Sequence, residues 1–84
     1  MLRYLGKKVI SHGEERCSAV DAMYYWIVVN SRGKNPNAFD VLVFVEDPDS
    51  SHTPYPVATK NDISDLSRAI ERGRAIARSG GKRS

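Results

Sequence analysis

The stretch Ala22–Asn30, "AMYYWIVVN", decides the fold, because no charged or amide side chain interrupts it before Asn30. Its β-branched and aromatic residues mark a strand. A strand with one face on a core and the other in water alternates apolar and polar residues. This one does not alternate, so both of its faces need cover.

The next apolar run, Phe39–Glu46, "FDVLVFVE", is the partner strand of a hairpin, across a turn-rich loop "SRGKNPNA" that contains Gly33 and Asn-Pro-Asn at 35–37. Alternation along this partner sends Phe39, Val41, Val43 and Val45 to one face, and Asp40, Leu42, Phe44 and Glu46 to the other. The all-apolar set is the natural core face. If Tyr25, Ile27 and Val29 share it, then Tyr24, Trp26 and Val28 join Leu42 and Phe44 on the opposite side. That side would form an aromatic patch rimmed by Asp40 and Glu46. Two outcomes are expected for it. Either a folded-back first strand or a first helix covers it, or Tyr24, Trp26, Leu42 and Phe44 form a protein interface, with a second copy or another protein as partner. A stacking platform for unpaired bases is disfavoured by the acidic rim, which repels phosphate.

Upstream, "LRYLGKKVI" at 2–10 has the pattern of a first strand, with Gly6 as a bulge or bend. The segment "SHGEERCSAVDA" is open to two assignments. Ser11 and Glu14 stand at capping-box spacing, and Cys17, Val20 and Tyr24 share one helical face. Against a helix, Gly13 weakens the first turn and the run passes into a strand without a break. Downstream, "DPDSSHTP" is a loop, and "YPVAT" is a short extended piece that Pro56 assigns to an edge. The last element is a helix. Thr59 and Asp62 have N-cap and N3 spacing, and Ile63, Leu66, Ile70, Gly73 and Ala77 fall within about 80° of arc. Gly80 and Gly81 end it.

The expected fold is therefore α+β. Three or four mostly antiparallel strands carry one long C-terminal helix on one face, with a second short helix near residues 12–22 as an option. Residues 1–79 form a single domain, and 80–84 a basic, flexible tail. If the first helix forms, the element order is similar to that of double-stranded-RNA-binding domains. The basic motif that opens the second helix of that family has no counterpart in "NDISDLSRAIERG", so the resemblance is one of topology.

A chain of 84 residues with 40% hydrophobic and 27% charged residues is an ordinary small globular domain, not a disordered one. One cysteine, Cys17, makes no internal disulfide, and one Cys with two His assembles no zinc site. The longest apolar run is too short to cross a bilayer, and the N-terminus lacks a signal-peptide pattern. A cytoplasmic protein without cofactor or metal is expected. The net charge of +3 admits an anionic partner without demanding one.

The cations that would meet such a partner are Arg68, Arg72, Arg74 and Arg78 on the C-terminal helix and Arg32 and Lys34 at the hairpin tip. Arg68 with Arg72, and Arg74 with Arg78, are like-charged i,i+4 neighbours, and a nearby anion would relieve them. His12, Glu14, Glu15 and Cys17 cluster in sequence and His52 lies far off, but no catalytic motif joins them, so an enzyme is not expected. The leading expectation is a non-enzymatic protein-binding module. By size alone it suits an inhibitor or accessory factor of a nucleic-acid-handling complex, such as a mobile-element blocker of a bacterial defence system. Direct nucleic-acid binding by the arginine helix and the basic loop is the alternative.

Overall fold

A computed structural model describes residues 3–4, 6–30, 37–45 and 56–80. In chain order the elements are β1 (Arg3–Tyr4), β2 (Lys7–Cys17), β3 (Ala22–Asn30), β4 (Phe39–Phe44), β5 (Ala58–Ile63) and α1 (Leu66–Arg78). Strands β2 to β5 form a four-stranded antiparallel sheet in sequential order, with the two-residue β1 paired to β2 and α1 packed against the sheet.

The optional helix near 12–22 does not form. Residues 7–17 are strand, and the chain reverses through a turn at 18–21, where Asp21 adopts φ 49°. Arg16 and Asp21 form an ion pair across that turn. From Ser11 to Arg16, half-buried and exposed residues alternate strictly, which is the burial rhythm of a strand with one covered face. Pairing with β3 supplies this segment's backbone hydrogen bonds, and that outweighs the local Ser11–Glu14 capping signal. Without the helix, the similarity to the RNA-binding domain's element order also disappears.

The C-terminal helix starts later than its stripe suggests. Residues 58–63 pair with β4, so Thr59 caps nothing, and Asp65 occupies the N-cap position without a side-chain cap bond. The strand's end is set by a bulge. Phe39 faces Ile63 but Val41 faces Lys60, so β5 has one residue more than β4 over this span. Asp62 takes φ 57° there, and its N–H donates to Asp40 Oδ1 at 3.1 Å. Gly80, with φ 73°, follows the C-cap Ser79 as the expected terminating glycine.

The two faces of β3 are assigned by register. Trp26 stands opposite Val43 and Val28 opposite Val41. The core under α1 is therefore Trp26, Val28, Phe39, Val41 and Val43 with Ala69, Ile76 and Ala77. This corrects the expected grouping by one residue, since Tyr25, Ile27 and Val29 lie on the other face with Leu42 and Phe44. Val45, expected in the core row, lies past the strand's end and is exposed.

That second face is covered by the chain's own beginning. Tyr4 lies 5.2 Å, ring centroid to centroid, from Phe44, edge to face. In a flat sheet β1 would lie three strand spacings from β4, about 14 Å away. The sheet must therefore curl. A register shift between Val9 and Ser11 inserts Ile10 as an extra residue, sending Val9 to the far-side cluster and Ile10 to the helix side. The chain then reverses between Tyr4 and its partner Lys7, where Gly6 holds φ 80°. Val9 and Tyr4 complete a second small core with Ile27, Val29 and Phe44.

Candidate functional site

Two of the four residues expected at an interface are core, and the other two are half-buried against it. Trp26 is 5% exposed and Phe44 fully buried, on opposite faces of the sheet, while Tyr24 packs half-buried on the helix side and Leu42 half-buried on the far side. No single surface joins the four. The Trp26 ring is held in a slot made by two glycines. A Cβ on Gly13 of β2 would stand 2.7 Å from the ring, and one on Gly73 of α1 would stand 3.2 Å from it. The slot is so close that Trp26 Nε1 is buried with no acceptor among the described residues. An unpaired buried N–H costs about 1–3 kcal/mol, so packing of the ring must outweigh it.

Asp40, expected to rim a surface patch, is used internally. It accepts the Asp62 N–H and stands 3.6 Å from Lys7 Nζ. Arg32, Lys34, Glu46, His52 and the tail beyond residue 80 lie outside the described residues.

The four helix arginines divide into two pairs. Arg74 and Arg78 face β2, where Glu15 projects from the strand opposite Tyr24. Arg78 Nε donates to Glu15 Oε1 at 2.8 Å, and Arg74 Nε lies 3.6 Å from Oε2 of the same carboxylate. One internal anion thus serves both members of a like-charged i,i+4 pair. No external partner is needed there.

Arg68 and Arg72 lie about 120° further round the helix at 100° per residue. With Lys60 and Ile63 of β5 and Glu71 and Ala75 of α1 they line an open groove of about 470 Å³. Strand β5 is the last strand of the sheet, paired with β4 alone among the described strands, so the groove runs beside a sheet edge. Three cations and one carboxylate around a strip of Ile63 and Ala75 make a concave, net positive surface. The arrangement can hold an extended anionic chain and offers it backbone hydrogen bonds along the strand.

Lys60 was missed because it fell within the N-terminal turn of the expected helix, and only pairing with β4 turns it toward the groove. Glu15 was missed because its partners are more than fifty residues away in sequence. The signal that pointed to Glu15 was the like-charged couple of Arg74 and Arg78, in need of a nearby anion, and no local signal pointed to Lys60. Among the described residues no group of three His, Cys, Asp or Glu side chains is placed to hold a metal ion, and no helix is long and apolar enough to cross a membrane. Cys17 is buried, and His12 and Glu14 are exposed on the far side of β2.

No protein-family model matches the chain, and no curated protein or solved structure does so either.

Proposed function

We propose that this protein is a small non-enzymatic binding module, acting in the cytoplasm, that takes an acidic partner protein in the groove between β5 and α1. The observation that carries the proposal is the gathering of Arg68, Arg72 and Lys60 at one groove. Arg74 and Arg78 converge on Glu15, whereas Arg68 and Arg72 stand with Lys60 around an open concavity. Concentrating like charges at a groove raises the local concentration of an anionic partner and speeds its encounter. An inhibitor or accessory factor of a nucleic-acid-handling complex is a narrower form of the same proposal.

Nucleic acid is the competing anion. The Glu71 carboxylate inside the groove opposes a phosphate backbone, and a strand edge has no use in holding one. The test is fluorescence anisotropy with three labelled probes: an alternating Glu-Thr peptide, a Lys-Thr peptide of equal length, and a single-stranded oligothymidine. The Glu-Thr peptide is expected to bind, less tightly as salt rises, and to lose most of its affinity when Arg68→Gln and Arg72→Gln are combined. Failure of this peptide to bind, or binding that ignores the double substitution, overturns the proposal. Tighter binding of oligothymidine would transfer the groove to nucleic acid.

A further inference from the structure

We infer that the acidic partner enters the groove as an added β-strand, pairing its backbone with the edge of β5 that no described strand occupies while carboxylates at alternate positions reach Arg68 and Arg72. This rests on the function proposed above and specifies the mode of binding. The lone-edge position of β5 gives the first reason. An edge strand presents unpaired N–H and C=O groups that another extended chain can satisfy, and main-chain pairing with side-chain pockets at every second residue is a recurrent way of binding peptides.

The groove's construction gives the second reason. One wall is β5, through Lys60 and Ile63, and the other is the flank of α1 that carries Arg68, Glu71, Arg72 and Ala75. A strand laid about 4.8 Å outside β5 would lie beneath that flank and send every second side chain into the groove. Arg68 and Arg72 are one helical turn apart, about 6 Å of rise. Alternate side chains of a strand are about 6.8 Å apart. Two flexible guanidinium arms can therefore meet two carboxylates at positions i and i+2 of the incoming strand.

Charge excludes a second copy as the occupant. Strand β5, "ATKNDI", carries Lys60 on its helix side. Edge-to-edge pairing of two copies would bring the lysine and arginines of one groove towards those of the other. Lysine on an edge strand is itself a known guard against such self-pairing. The same lysine is attractive to a strand of opposite sign. The bulge at Asp62 ends regular pairing, so the docking strand is short, with pairing concentrated along Ala58–Asn61.

The experiment uses the wild-type protein and two modified forms of the Glu-Thr peptide. In one, every Glu is N-methylated, and in the other, every Thr. N-methylation deletes an N–H donor without changing charge. Along a strand, N–H groups point alternately toward and away from the neighbouring edge, so only one of the two sets faces β5. One methylated peptide is expected to bind about ten-fold more weakly or worse than the parent, because several hydrogen bonds are lost together, and the other to bind like the parent. Equal behaviour of the two methylated peptides, whether both bind or both fail, overturns strand addition while leaving a charge-guided groove intact. If the unmethylated peptide itself does not bind, the groove has no acidic peptide ligand and the proposed function falls with the inference.

Discussion

The β2 end of the sheet and the β5 end both meet arginines of the same helix, and they are finished in opposite ways. At the β2 end the chain closes on itself. Strand β1 folds over the far face, Tyr4 seats on Phe44, and Glu15 joins the strand to Arg74 and Arg78. At the other end β5 is the last of the described strands, α1 touches it only sparsely, and the cations line a groove. The difference teaches that a residue type and spacing do not define a role. Arginine couples with identical i,i+4 spacing converge on Glu15 of β2 on one flank of α1 and line an open groove beside β5 on the other.

Substitutions at the closed end should cost stability, and those at the open end should not. The largest effect is expected for Trp26→Ala, at the centre between the two glycines. Truncating a buried tryptophan typically costs about 3–5 kcal/mol, a large part of the about 4–12 kcal/mol expected for a domain of this length. Urea denaturation should show a much lower midpoint or no folded baseline. A fully folded variant with lost association would instead put the ring at an interface.

Next comes Tyr4→Ala, which removes the far-face cover. Loss of the buried side chain and its aromatic pair is expected to cost about 2–4 kcal/mol. Hydrogen exchange should reveal faster opening of β3 amides, and a cost under about 1 kcal/mol would mean that β1 is not what closes that face.

Glu15→Gln is expected to cost about 1 kcal/mol or less, since the carboxylate is 20% exposed and its arginines 48% and 57%. A double-mutant cycle with Arg78→Gln should return a positive coupling energy that shrinks with added salt. Zero coupling would dissolve the contrast between the two arginine pairs.

The smallest effect belongs to Arg68→Gln. Stability should change by no more than about 0.5 kcal/mol, with a slight gain allowed because a like-charged neighbour of Arg72 is removed. Binding of the acidic peptide should nevertheless weaken. A clear loss of folding stability would show that Arg68 is structural, and the two ends of the sheet would then be alike.

What the sequence by itself determined is local and periodic. The β-branched, aromatic run at Ala22–Asn30, its partner at Phe39–Phe44, the apolar row of Phe39, Val41 and Val43, the glycine that ends α1 and the α+β class all follow from patterns within a few residues. The need for cover on both faces of β3 was equally visible, because a strand with no polar face has none to give to water. Tertiary structure decided everything that depends on register and pairing. A one-residue difference in the β3–β4 alignment moves Trp26 from a surface patch to the core, since side chains alternate with period two. Pairing with β3 made strand of a segment whose Ser11 and Glu14 resemble a helix start. Pairing with β4 took Thr59 to Ile63 away from the helix and turned Lys60 toward Arg68 and Arg72. The meeting of Glu15 with Arg74 and Arg78, and of Tyr4 with Phe44, joins residues far apart in the chain. No local pattern encodes such contacts, because what brings them together is the curl of the sheet at Ile10 and the path of α1 across it.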